Sequence, residues 1–526
     1  MRAPVKSRLV LLLAAALIAA LAVAGCGGSD DGGSASDPAA VAPATAPLYV
    51  QVAVKPQGEV KSNIEALVEN VAGIDDLGSL IVDKIEAAAS DSDEPVDFEK
   101  EVEPWLGEKG GIFFGSYDGE DFENAGFAIE VTDSDAAQQF IDNQVASADG
   151  PVEDASYEGV DFKVEEEDEE AIGLIGDVFV FAEGEATFKE AVDASKGESL
   201  SGSEDFTKAF AGVPANSFAS VYADVGALIE QSGGAIDPDA KQLLDTAGID
   251  PTEMTLTTSL VPGSDQLEID VASDLGGAEA PTGDASALLG ALPKNSIAAL
   301  AAADFGAQLQ EGIDSLDKSG IPGEVPPNEL KKALAAAGID LDKIASSLQD
   351  AGVFVTGANK SSLGGALVLT TNGSGEAAET VASIGLFLRA ASVPGVTAIK
   401  GKTSGFSVRS DELGRQPIVV VANEKRIAVA YGTKAAKQAL DESEATTLGD
   451  SDTYKAAVAS LEGTPITAFV DGAGALKLVE SVISSPQDQF EFLVAKPYLK
   501  KARFLAVGAG SDGELATAKL ILGFNE

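Results

Sequence analysis

Asp177-Val-Phe-Val-Phe-Ala-Glu-Gly184 and Lys425-Arg-Ile-Ala-Val-Ala-Tyr-Gly432 are the stretches whose reading decides the fold. Each is a short run of branched and aromatic residues closed by glycine, the pattern of a strand ending in a turn. Each continues into a helical pattern, through Ala191-Val-Asp193 and Ala439-Leu-Asp441. Beyond these, Ser203-Glu-Asp-Phe206 answers Ser451-Asp-Thr-Tyr454, and Val221-Tyr-Ala-Asp224 answers Ala468-Phe-Val-Asp471. Gly263-Ser-Asp265 answers Gly510-Ser-Asp512. The spacing between these partners is 247 or 248 residues, in a match that runs from Gly176 to Asp270 in one copy and from Glu424 to Leu520 in the other. Upstream, Gly126–Asp133 answers Gly365–Asn372 at a spacing of 239. The chain reads as a duplication.

A smaller unit recurs within the copies. Pro214-Ala-Asn-Ser217 and Pro293-Lys-Asn-Ser296 each lead into a strand, and these strands end in Asp224-Val-Gly226 and Asp304-Phe-Gly306. Helical patterns follow and stop at Ala-Gly-Ile-Asp, at Gly248 and Gly338; the first such unit, starting at Pro47, stops likewise at Gly73. Glycine there supplies the left-handed residue that ends a helix. Many strand candidates are joined by short turns, among them Pro262–Asp265 and Asn423–Lys425. Short links imply antiparallel pairing, because a parallel pair needs a long crossover. The expected fold class is α+β, two duplicated halves that are each a mainly antiparallel β-sheet with helices packed on it. The expected organisation is a signal peptide over 1–25, a flexible tether over 26–46, a first repeat over 47–275, a linker over 276–291 and a second repeat over 292–526.

Arg2, Lys6 and Arg8 precede an apolar run from Leu9 through Ala24, and Leu21-Ala-Val-Ala-Gly-Cys26 closes it. Basic, apolar and small-residue segments in that order read as an export signal. The only cysteine, Cys26, stands where a bacterial lipoprotein carries its lipid. Gly27 to Ala46 is rich in Gly, Ser, Ala and Pro, the composition of a tether that spans about 25 Å on average.

The chain has 526 residues, a hydrophobic share of 45% that suffices for packed cores, and no histidine. The last fact excludes imidazole bases, imidazole metal ligands and histidine pH switches. The net charge is −50, concentrated in residues 46–275, where 53 acids face 10 lysines and no arginine. Residues 276–526 carry 29 acids and 22 bases. Such a field repels nucleic acid and anionic headgroups and favours divalent cations or a basic envelope partner.

No constellation in the sequence amounts to a catalytic signature. Asp224, Asp304 and Asp471 close strands before helices; they read first as helix caps and second as weak cation ligands. The six acids Glu165–Glu170 read as a solvated loop, and no stretch meets the spacing of a calcium loop. Ser315-Leu-Asp-Lys318 has a Ser-x-x-Lys spacing, with Lys402-Thr-Ser-Gly405 further on, but no Ser-Asp-Asn element accompanies it. Trp105 is the only tryptophan and reads as a packing residue. No metal site and no cofactor site is expected.

The lipobox, Ala46-Pro-Leu-Tyr-Val50 leading into Val54-Lys-Pro56, Pro104-Trp-Leu-Gly107 and the Asp-x-Gly strand ends together resemble a family of actinobacterial lipoproteins classed as domain of unknown function 3352. The resemblance implies export, lipid anchoring and residence at the cell envelope, and it supplies no activity or site. The expectation is a palmitoylated lipoprotein on the extracytoplasmic face of the cell membrane, held there by its N-terminal lipid, that binds or scaffolds without catalysis. The alternatives are a wall- or lipid-directed hydrolase working without histidine, and a weak divalent-cation-binding surface protein.

Overall fold

The computed structural model describes residues 37–75 and 97–525, apart from 120, 147–149, 166–169, 235, 238–239, 242–243, 245–247, 279, 281, 321–325, 327, 337–339, 374, 400–403, 411–413, 441–445 and 484. The signal, Cys26, Gly338, Lys402 and most of the acid run lie outside the described residues. The chain divides into two compact units, one reaching Ala280 and including Ser511–Ala518, the other Pro281–Gly510 with Lys519–Asn525. It is α+β throughout, and every strand pairing described below is antiparallel.

The first unit opens with β1 (Leu48–Ala53) and α1 (Gly58–Ala72). It continues through β2 (Leu106–Tyr117), β3 (Phe122–Val131), α2 (Ser134–Ala146), β4 (Val152–Tyr157), β5 (Val160–Glu165), β6 (Ala171–Ile175) and β7 (Val178–Ala182). It ends with α3 (Glu185–Lys196), α4 (Glu204–Phe210), β8 (Ala219–Asp224), α5 (Val225–Gln231), β9 (Thr255–Pro262) and β10 (Gln266–Asp274). The pairings place the strands in the order β4-β5-β6-β7-β3-β2-β1-β8-β9-β10.

β7 lies between β6 and β3, and all five of its side chains are buried. Its apolar run without polar interruption is the mark of a strand covered on both faces. Because side chains alternate along a strand, Phe179 and Phe181 enter one core while Val178, Val180 and Ala182 enter another. The first core is aromatic: Trp105 stacks on Phe179 with ring centroids 5.1 Å apart, and its Nε1 donates to the Glu101 carbonyl at 2.7 Å. The second gathers Tyr49, Phe113, Phe162, Phe188, Phe206 and Tyr222 under α3 and α4. Gly73 and Gly248 adopt left-handed backbone, φ +68° and +71°, as the Ala-Gly-Ile-Asp reading expects.

Residues 37–46 are not a tether. Pro38–Ala40 forms a 3-10 turn, and Ala39, Val41, Ala42 and Ala46 are buried in the second core. Asp37 Oδ1 accepts from Ala39 N at 3.1 Å, and Pro43 bridges Ser199. The other unit builds the same feature: Asp284 Oδ1 accepts from Ser286 N at 2.8 Å, and Pro293 bridges Thr447. Small apolar residues made the first copy look like linker composition, but alanine also fills the narrow space between a sheet and its covering turn.

The second unit repeats the plan, with α6 (Ser286–Gly290), β11 (Ser296–Ala302), α7 (Phe305–Ser319), α8 (Leu330–Ala336), α9 (Leu341–Ser347), β12 (Leu348–Thr356), β13 (Gly364–Thr371) and α10 (Glu376–Ala390). Then come β14 (Val396–Ala398), β15 (Ser404–Val408), β16 (Ile418–Ala422), β17 (Arg426–Tyr431), α11 (Thr433–Leu440) and α12 (Asp452–Ser460). It closes with β18 (Ile466–Asp471), α13 (Gly472–Val482), α14 (Pro486–Leu499), β19 (Ala502–Asp512) and β20 (Leu515–Phe524). The order β14-β15-β16-β17-β13-β12-β11-β18-β19-β20 matches the first sheet strand for strand. One face packs a large core around Phe354, Phe469, Phe504 and the α6 leucines. The other is thinner: Val429, which stands where β7 has the buried Phe181, is 37% exposed.

Candidate functional site

A cleft of about 580 Å³ opens in the first unit between the end of β1, α1, α4 and the start of β8. That volume lies within the range of small-molecule sites. Phe206, Phe210 and Phe218 supply apolar wall; the first two stack with centroids 4.3 Å apart. Phe206 also meets Tyr49 and Tyr222 edge-on, so the wall is continuous with the core.

Lys55 and Lys109 stand on the rim, on neighbouring strand ends where Lys55 N donates to the Glu108 carbonyl. Among the described residues neither ammonium has an ion pair, in a half of the chain dominated by carboxylates. The two acids of the cleft are already engaged: Asp37 caps the 3-10 turn, and Glu108 Oε1 accepts from Gln57 Nε2 at 2.9 Å. Glu130 sets the position of Lys109. The residue is buried, and its carboxylate accepts from Glu108 N at 3.0 Å and Lys109 N at 3.2 Å across a bulge between Leu106 and Gly110. A bulge re-aims the side chains beside it.

Ser217 adds a third donor. Its Oγ is buried and has no hydrogen-bond partner. Ser296, its counterpart in the Pro-x-Asn-Ser motif, donates its Oγ to the Pro293 carbonyl at 2.6 Å. The motif's hydroxyl is therefore satisfied in one unit and left without a partner, beside the cleft, in the other. The scarcity of lysine in the acidic half, the acid at position 130 within Gly126-Phe-Ala-Ile-Glu-Val131 and the repeated Pro-x-Asn-Ser were the signals in the sequence. Only the pairing of β1 with β2 and β8 brings them to one place.

The earlier candidates lie elsewhere. Asp224 accepts from Ala227 N at 2.8 Å and Asp471 from Gly474 N at 2.7 Å, each at the first turn of a helix. Asp304 makes no cap bond. Its φ of +53° departs from the extended backbone an N-cap residue needs, and its amide is taken by Asp350 Oδ1 at 3.2 Å. Among the described residues no three acids or cysteines gather to hold a metal ion. Ser315 and Lys318 share α7 without a hydrogen bond between them, Lys318 is exposed, and neither lines the cleft. Lys331 joins Asp314 and Asp342, which holds both carboxyls below the usual range and raises the lysine; all three sit at the surface.

The sequence profile of a family described as "Protein of unknown function (DUF3352)" matches residues 7–518. No curated protein matches the chain. Two solved structures are similar over part of it: crystal form III of TP0453, 11% identical, TM-score 0.26, covering 47% of this chain and 84% of that one; and crystal form I, 10% identical, TM-score 0.24, covering 47% and 81%. No helix among the described residues is long and apolar enough to cross a membrane.

Proposed function

We propose, from the premise that the chain belongs to the DUF3352 family and that membership carries no activity with it, that it is a non-enzymatic binding protein anchored at the cell envelope through a lipid on Cys26. Its ligand is an acidic amphiphile held in the first-unit cleft. The observation that carries the reading is a set of donors without acceptors. Lys55, Lys109 and Ser217 line one cleft beside an apolar aromatic wall, and among the described residues neither the two ammoniums nor the buried Ser217 Oγ has a partner. A buried polar group without a partner is uncommon and calls for an explanation. A carboxylate or phosphate headgroup would satisfy the donors, and an acyl or aromatic body would cover Phe210 and Phe218. The lipobox and the basic, apolar, small-residue order of the N-terminus support the anchor and the location.

Thermal melting separates this reading from its alternatives, because a ligand of the native state raises the midpoint by mass action. A long-chain fatty acid or lysophosphatidic acid raises it saturably, while a monoacylglycerol of equal chain length does not. A saturable rise with calcium but not with the acids would favour cation binding instead. Turnover of a wall or lipid substrate would favour the hydrolase.

A further inference from the structure

The second unit carries two helices that are apolar on the wrong side. On α14, Phe490, Leu493, Val494 and Tyr498 fall at helical spacing on one flank, and they are 69%, 63%, 59% and 52% exposed. The half-covered side carries Phe492, Ala495 and Lys496, and Lys496 pairs with Glu480 of α13 at 2.9 Å and lies over the Phe492 ring. On α13 itself no residue is buried, and Val479 and Val482 are exposed at 40% and 38%. A surface helix normally turns its apolar stripe inward, and exposed apolar patches of this kind mark interaction sites.

Charge selects the occupant. From Gly472 through Arg503 five bases (Lys477, Lys496, Lys500, Lys501 and Arg503) stand against three acids, in a chain of 35 bases and 85 acids. A segment that is both basic and apolar at its surface suits an anionic lipid surface, where each lysine near the headgroups adds about 1 kcal/mol. Acids farther away than the screening length of about 8 Å at physiological salt act weakly on it. A second copy meeting the patch face to face would set the same lysines against one another. We propose that the outward flank of α14, with α13, docks on an anionic lipid surface, a second membrane contact separate from Cys26 and independent of the first-unit cleft.

The test uses the full chain carrying Cys26→Ser, so that no lipid is attached, and Leu493→Cys labelled with an environment-sensitive fluorophore. Vesicles of phosphatidylcholine with one-third phosphatidylglycerol are expected to shift the label's emission to the blue. Vesicles of phosphatidylcholine alone, or a Lys477→Glu/Lys500→Glu chain, are expected to need roughly tenfold more lipid. A label at Gln138→Cys, exposed on α2 of the first unit, is expected to stay unshifted, which separates docking of α14 from insertion of the apolar run Leu9–Ala24. No shift at position 493, an equal shift with neutral vesicles, or a shift that grows with protein concentration without vesicles would overturn the proposal.

Discussion

At the scale of single residues, the three strand-end aspartates do different work although each stands between a strand and a helix. Asp224 and Asp471 satisfy first-turn amides, so Asp224→Ala and Asp471→Ala are each expected to cost about 1 kcal/mol in urea unfolding. Asp304 makes no such bond and holds left-handed backbone, so Asp304→Ala is expected to be near neutral and Asp304→Gly to stabilise by about 1 kcal/mol. If instead all three shared a cation, each substitution would abolish a calcium-dependent rise in stability. Tyr49 presents the opposite problem. It is fully buried, and its hydroxyl has no partner. Tyr49→Phe is expected to raise stability by about 1 kcal/mol. Burial raises the phenols of Tyr49, Tyr222 and Tyr454, the last to about 12, with Asp284 adding to it. Below pH 10 these phenols are neutral in both states and their contribution is complete. As pH rises past 10 the unfolded chain ionises first, so stability falls until the folded phenols titrate. Unfolding free energies measured from pH 9 to 11.5 are expected to decline, and less steeply in Tyr454→Phe.

At the scale of elements, the glycine of each Asp-x-Gly marks a close approach rather than a ligand. A Cβ on Gly306 would lie 2.2 Å from the Leu348 carbonyl oxygen, and one on Gly226 would lie 2.1 Å from that of Thr252. Gly306→Ala is expected to cost roughly 2–3 kcal/mol. Gly312→Ala, on the same helix with open space around it, is expected to gain about 1 kcal/mol. Equal effects would contradict this packing. The sequence made the central strands legible because β7 and β16 are apolar runs and β17 alternates between turns. It left β4, β5, β14 and β15 unmarked, since their outward residues, such as Glu153, Asp161 and Ser407, are polar and half-covered strands near a sheet edge give a weak signal, and it left unmarked β6, an apolar run of 5 residues. The turn at 38–40 was misread for the reason that alanine and proline serve both linkers and tight packing. The cleft was illegible because Lys55, Lys109 and Ser217 are far apart in the chain, and only strand register unites them.

At the scale of the whole molecule, the two units share a sheet plan and differ in their surfaces. Both sheets keep one strand order, yet the first unit carries most of the net negative charge and the unpartnered Pro-x-Asn-Ser hydroxyl, while the second carries the basic helices. Self-repulsion at −50 is expected to make the melting temperature climb with sodium chloride without saturating at low concentration. A ligand effect differs by being saturable and stoichiometric. The measurement that bears most directly on binding in the first unit is therefore an equilibrium titration of the chain with a fluorescent long-chain fatty acid, at fixed high salt, with and without Lys55→Glu/Lys109→Glu. The prediction is one saturable site per chain, weakened at least roughly tenfold by the double substitution, as expected when a charged pair is replaced by repulsion. Equal binding by both chains, or none by either, would contradict the assignment of the cleft.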